Sequence, residues 1–535
     1  MFLKRNSVVK YIGEYMKEQI IILGAGVMQG PAIKIAKELG FFTFVLDGSR
    51  GAPCISMADR FEQIDLKDKE GIETFARSIQ SSGGRLGIMT AGTDFSASVA
   101  WTAEKLGLPG IPYEAALNAS DKSRMRECFK KASLPSPDFF TINKEDNLDS
   151  IPLPFPLVIK PVDNMGGRGC RRVDSIEEFH DAAGSAIKFS RRGRAIAETF
   201  MDGPEFSVDA IVYKGKITIC GLADRHIFFP PYFIEMGHTM PTVIEDQKQS
   251  ALLETFRAGV RALGLDGKEN IGAAKGDIKL TDKGPMIGEI AARLSGGYMS
   301  GWTYPYSSGA QPIKAAILAA MGREPEGLVQ QKKWTCAERA FISIPGTVKQ
   351  IEGVEKARTL SGVNDLFLRI TEGGKVSFPE NNVTKCGNII ASAPQRDDAV
   401  KAAETAAKSI LIRLDPSDTE TSAFLNENAP FPPDAFQLTD EQKAALSQIL
   451  DISPKKGEGA NLSIAPFPSF SASSLRDYMG RTVEETLNAV RLLTGFPLPL
   501  AEKNADNKNI LGRSFWTALI RGSYQGAVYY IDNWL

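Results

Sequence analysis

Two short stretches of this 535-residue chain hold residues whose types and spacing could do chemistry. In the first, the apolar run Pro156-Leu-Val-Ile ends in Lys160, and Gly166, Gly167 and Gly169 follow with Arg168 among them. Three glycines in four positions leave no Cβ to block positive φ, so successive N–H groups can curl round an oxyanion. The lysine and arginine add point and forked charge, a pairing suited to a polyphosphate. A surface hairpin turn with solvated cations fits the same loop, so the loop alone does not decide. In the second stretch, strands Ala274–Leu280 and Met286–Arg293 flank the turn Asp282-Lys283-Gly284. Folding on that turn brings Asp277 and Glu289 side by side, where like charges repel. Something positive belongs between them, and two carboxylates plus phosphate oxygens are the usual Mg2+ arrangement. Two exposed acids at a hairpin edge are the plainer alternative. Arg293 and the loop Ser295-Gly-Gly297 follow at once and add another anion-binding feature.

The elements that must position these residues can be read from apolar periodicity. Ile20–Leu23, the turn Gly24-Ala-Gly26 with Gly30, the stripe Ile33, Ala36, Leu39 and the strand Phe42–Leu46 form a βαβ unit ending in Asp47. A parallel sheet follows from that connection. Asp47 sits where a dinucleotide-binding protein places its ribose acid. The glycine spacing is Gly-x-Gly-x-x-x-Gly, however, and a structural or substrate-facing Rossmann-like domain is the preferred reading. A second strand and helix follow Leu86–Asp94, with Asp94 read as the helix N-cap. Ser120 is expected to cap the next helix, whose first turn holds Asp121 and Lys122. A lysine there opposes the helix dipole; it either reaches into water or meets a phosphate. Glu198 and Glu205 fall on strands around the turn Asp202-Gly-Pro204, and 230–238, ending in His238, reads as irregular. A strand-rich segment (345–388), a helix from Asp397 to Leu414, a linker over 415–436 and helices opened by Thr439-x-x-Gln442 and Thr482-x-x-Glu485 complete the chain. The aromatic tail, with Trp516, Tyr524 and Tyr530, reads as a core or an interface.

Composition narrows the class. Lysines and arginines (63) nearly balance acids (64), so no long-range field argues for nucleic acid or an anionic membrane. The six cysteines lack any Cys-x-x-Cys pair and only three histidines occur, which suggests neither zinc nor a disulfide framework and fits a cytoplasmic protein. No apolar run reaches the roughly 18 residues of a membrane span.

The order Lys122, Lys160, glycine loop, Glu198, Glu205, Asp277, Glu289, Arg293 resembles the ATP-grasp superfamily of carboxylate–amine ligases over about residues 19–415. Gly166–Arg171 is similar to the mobile phosphate loop of biotin carboxylase. Phe233–His238 resembles a segment of carbamoyl phosphate synthetase and of L-amino acid ligases. The resemblance implies an α/β chain with a Rossmann-like domain (1–112), two α+β ATP-grasp subdomains (113–194 and 195–330) and a β-rich closing domain (331–415); beyond it, the composition and capping boxes read as a linker and helical extension (416–535). It also implies ATP and Mg2+, or Mn2+, as cofactors. Lys122, Lys160, Gly166, Gly167, Arg168 and Gly169 would hold the phosphates. Glu198 and the backbone near Phe200 would meet the adenine, and Glu205 the ribose. Asp277 and Glu289 would hold the metal, with Arg293, Lys160 and, less directly, His238 acting on the reacting groups.

The implied reaction joins a small-molecule carboxylate to an amine through an acylphosphate. The acceptor is expected between Thr93–Asp94 and Ser295–Ser300, beside Tyr298, Trp302 and Tyr304. Bicarbonate as the acid and NAD(P)-dependent redox chemistry on Gly24–Asp47 stand as alternatives. Relatives are often dimers, so a homodimer is one option and the oligomeric state stays open; no nucleic acid or membrane partner is implied. One departure is plain: many relatives carry Asn two residues after the second metal acid, and this chain has Ala291, which leaves one or two metal ions open.

Overall fold

A computed structural model describes residues 18–146, 148, 150–426, 438–453, 461–467, 475–502 and 509–534. The parallel sheet expected from the first βαβ unit forms. Strands β1 (Gln19–Leu23), β2 (Phe42–Asp47), β3 (Arg60–Gln63) and β4 (Leu86–Thr90) form a parallel sheet in the order β3-β2-β1-β4. All five residues of β1 are buried, as expected for a strand covered by helices on both faces. Asp47 does not stand free at the end of β2. Its carboxylate accepts from the Ala25 and Ser49 N–H groups at 2.8 and 2.9 Å and so ties the glycine turn together.

A second, antiparallel sheet holds β5 (Phe139–Asn143), β6 (Leu157–Pro161), β7 (Arg171–Val173) and β8 (Arg194–Thr199) in the order β5-β8-β6-β7. The helix Ile176–Phe189 buries Phe179, Ala182, Ala183 and Ala186 against it. The β6–β7 connection is the glycine loop, where Gly166, Gly167 and Gly169 have φ of 69°, 75° and 68°.

The third sheet begins with β9 (Glu205–Tyr213), β10 (Lys216–Phe228), β11 (Ile234–Met240), β12 (Ile271–Thr281) and β13 (Gly284–Ala291). It continues without a break into β14 (Thr335–Phe341) and, past β15 (Gly346–Glu352), into β16 (Val363–Leu368) and, past β17 (Lys375–Val376), into β18 (Gly387–Ala393). The order is β13-β12-β9-β10-β11-β14-β18-β16, so the boundary expected at residue 330 falls inside one sheet. On its helix-covered face, Leu252, Phe256 and Val260 of the helix Asp246–Ala262 pack on Ala274, Ile278, Ile287 and Ile290. Gly276 makes this possible, since a Cβ there would stand 2.5 Å from the Phe256 ring. The alternation of a strand then sends Lys275, Asp277 and Lys279 to the other face.

Several local readings change. The helix Lys122–Lys131 is capped by Asp121, not Ser120, through the Ser123 and Arg124 N–H groups; Ser120 ends the preceding helix Tyr113–Ser120. The stretch expected to be irregular up to His238 contains β11, paired with both β10 and β14. The helix begun near Asp397 stops at Ser409, and Leu414 belongs to β19 (Leu411–Leu414), paired with β15. The linker reading of 415–436 gives way to the helix Thr419–Leu425, while residues 427–437 lie outside the described residues. Both capping boxes form. Phe515, Trp516 and Tyr524 of the last helix, Arg513–Trp534, are buried in a core with Leu487, Val490 and Leu493.

Candidate active site

Lys122, Lys160, Gly166, Gly167, Arg168, Glu198, Phe200, Glu205, Asp277 and Glu289 all line one cleft. The small sheet with its glycine loop forms one wall and the β9–β13 face forms the other. Lys160 and Glu289, predicted from stretches over a hundred residues apart, therefore open into the same space. Of the expected phosphate-loop residues, Gly169 is not part of the lining; it packs against Pro161 and Phe189.

Sheet register places the two acids. Asp277 on β12 lies directly opposite Glu289 on β13, and a bulge follows at once. Bulges of this kind re-aim side chains at strand ends and near sites. The repulsion expected between the acids is relieved by protein cations. Lys275 and Arg225 pair with Asp277, the latter at 3.0 Å, and the Ser207 hydroxyl donates to Asp277 at 2.6 Å. Lys122 lies 3.1 Å from Glu289 and donates to the Asn164 carbonyl at 2.9 Å. Burial works against charge on Glu289, but Lys122, Lys275 and Lys160 outweigh it and hold its carboxyl far below the usual range. Burial also opposes the Lys122 charge, and Glu289, Asp94 and Glu198 more than compensate, keeping the ammonium above its ordinary value. Both groups are ionised at neutral pH. Two carboxylates at the cleft wall fit a hard divalent cation completed by phosphate oxygens and water.

Glu198 is 1% exposed, and both of its oxygens are held by cations: Arg126 at 2.8 Å and Lys160 at 2.6 Å. Its carboxylate is thus a brace for Lys160 rather than a group open toward a base. Phe200 lies against Phe233 with ring centroids 6.2 Å apart, under the Arg172 guanidinium at 4.6 Å. Glu205 pairs with Arg225, which also reaches Glu235.

Two expected site residues stay outside the cleft. Arg293 donates to Asp94 at 3.0 Å, fastening the third sheet to the parallel-sheet region. Asp94 is accordingly not the cap of its helix, whose N-cap is Phe95. His238 is 2% exposed between two acids, Nδ1 at 3.2 Å from Glu338 and Nε2 at 3.7 Å from Glu235. A Cβ on Gly297 would meet both Glu235 and the His238 ring, so the histidine shapes the Ser295–Gly297 loop.

Sequence reasoning missed Arg126, Arg225, Lys275 and Lys279. Lys275 and Lys279 stand two residues either side of Asp277, a signal for a shared strand face that was there to read. Nothing local marks Arg126 or Arg225; their partners come from other elements.

Comparison with known proteins now adds to this geometry. Residues 153–301 match the family model of the ATP-grasp domain, and residues 340–415 match L-amino acid ligase C-terminal domain 2. The chain has an ATP-grasp fold. The crystal structure of L-amino acid ligase from Bacillus licheniformis superposes with a TM-score of 0.64 at 21% identity, covering 75% of this chain and 99% of that one. Protein y4rH of Sinorhizobium fredii is 24% identical over 331 residues, 61% of this chain and 67% of that protein. Carnosine synthase 1 of Gallus gallus is 24% identical over 336 residues, 58% of this chain. The match spans only 36% of the length of that synthase. Among the described residues, no helix is long and apolar enough to cross a membrane.

Proposed function

We propose that the chain is an ATP- and Mg2+-dependent ligase that activates a small-molecule carboxylate as an acylphosphate and joins it to an amine, releasing ADP and phosphate. The observation that carries this reading is the single cleft shared by the glycine loop, Lys160, Lys122 and the Asp277–Glu289 pair. Similarity to carnosine synthase and to an L-amino acid ligase structure supports the same reaction class.

In this reading the glycine loop's N–H groups, Lys122 and Lys160 grip the β- and γ-phosphates. The backbone around Phe200 meets the adenine edge, and Glu205 accepts from the ribose. Asp277 and Glu289 hold Mg2+, which when bound neutralises charge on the phosphoryl group in transfer. A carboxylate oxygen attacks the γ-phosphorus and ADP leaves; the amine nitrogen then attacks the acyl carbon and phosphate leaves. Asn382 reaches over the loop, donating its N–H to the Gly166 carbonyl at 2.8 Å, and the 377–386 segment helps exclude water from the acylphosphate. Arg293 lies on the acceptor side, beside Asp94.

The test is a phosphate-release screen with Mg-ATP across amino acids, dicarboxylates and bicarbonate, followed by mass detection of the product. Release that needs both a carboxylate and an amine, with an amide product, is expected. Release with bicarbonate alone would replace the ligase by a carboxyphosphate-forming enzyme, and no release with any acid would end the proposal.

A further inference from the structure

The carboxylate pair has a cationic neighbour that the reaction scheme above leaves idle. Lys275 stands one row further along the same sheet face as Asp277, on the side toward Ser295. Its register partners are Ala291 on β13 and Asp209 on β9. The methyl group of Ala291 offers no ligand and little bulk, so the lysine chain lies along the sheet with its ammonium on Asp277. The same charge also helps hold the Glu289 carboxylate ionised.

The surrounding oxygens are already committed. The Ser207 hydroxyl donates to Asp277, and Asp209 is locked onto Ser295 through both its N–H and its hydroxyl. Among the described residues, no further His, Cys, Asp or Glu joins the pair to make a group of three that could hold a metal ion. A divalent ion needs about six oxygens, so two carboxylates with phosphate and water complete one ion, not two. Arg225 is forked between Glu205 and Glu235 and is not free to move along the polyphosphate. Lys275 does not line the cleft itself; it reaches the cleft wall through its pairing with Asp277, which does.

We propose that the Lys275 ammonium acts as the second cation of the nucleotide site, so that this chain takes one divalent ion with its nucleotide. The inference rests on the ligase reading and assigns Lys275 to the phosphoryl group nearest the acceptor. An ammonium is a compact point charge with three donors, suited to phosphoryl oxygens.

The test counts Mn2+ bound per intact chain, by electron paramagnetic resonance, with a non-hydrolysable ATP analogue present. One ion is expected in the wild type; two would overturn the proposal while leaving the ligase reading in place. Neither analogue nor Mn2+ binding would overturn both. A second arm measures binding of the same analogue in EDTA, where no divalent ion contributes. Lys275→Met, which keeps the chain length without the charge, should weaken that metal-free binding about tenfold or more; unchanged binding would make Lys275 a structural partner of Asp277 and overturn the role. Circular dichroism of the variant and its retained Mn2+ site separate this loss from misfolding.

Discussion

Lys160 on β6 and Glu198 on β8 meet diagonally, two residues out of register, with Nζ 2.6 Å from a carboxylate that Arg126 holds from behind. The lysine is aimed into the cleft by an acid that is itself buried and doubly paired. Such a brace fixes a long flexible side chain before any ligand arrives, reducing the ordering cost on binding.

Replacing Lys160 with alanine leaves Glu198 its pairing with Arg126, so the fold should persist. A charge-assisted hydrogen bond contributes roughly 1.5–3 kcal/mol, so ATP affinity should fall about 10- to 100-fold. Calorimetric titration checks this; an unchanged dissociation constant would remove Lys160 from the phosphate site.

Glu289→Gln keeps shape and removes one of the two cross-strand carboxylates. Mg2+-dependent turnover should drop by at least about a hundredfold while the melting transition stays cooperative. Lys122 keeps its bond to the Asn164 carbonyl, which limits structural damage. A Mg2+ titration that superposes on the wild type would place the metal elsewhere.

Gly167→Ala tests the loop's backbone. The added Cβ meets nothing closer than 3.8 Å, so any effect comes from the φ of 75° rather than from a clash. Left-handed backbone costs an alanine about 1–2 kcal/mol, and turnover at low ATP should fall roughly 5- to 30-fold with little change in melting temperature. An equal loss in an exposed positive-φ glycine such as Gly215, far from the loop in sequence, would argue against a loop-specific role.

Asp209 gives a pH dependence. Burial pushes its carboxyl up to about 6, against the stabilising Ser295 contacts and the nearby Lys275 and Arg293 charges. The folded state therefore keeps its proton to higher pH than the unfolded chain. Its contribution to stability is full below about pH 4 and is lost as pH rises through about 6, worth up to about 3 kcal/mol. Asp209→Asn should gain on the wild type over that window. Denaturant midpoints of both proteins measured from pH 4 to 7 decide it, and parallel curves would reject the assignment.

How far the sequence reached can be argued from particular residues. The glycine loop, Lys160 and the Asp277–Glu289 hairpin were legible because each depends on local rules: φ at glycine, two-residue periodicity, and a turn that sets register. Local rules failed where a neighbour in space changed the outcome. Asp94 has the composition of a helix cap but pairs with Arg293, 199 residues away. His238 lies on a strand because β10 and β14 flank it, and Ser409 ends a helix because Leu411–Leu414 pair with β15.

By itself the sequence determined which charged side chains and glycines are available to the cleft, and the strand and turn chemistry that orders them along the chain. Only the tertiary structure decided which charges neutralise one another: Arg126 behind Glu198, Arg225 among three acids, Lys122 on Glu289. The reason is electrostatic. A buried charge is tolerable only when paired, and the partner that pairs it is chosen by distance in space, which sheet register and domain packing set and sequence separation does not.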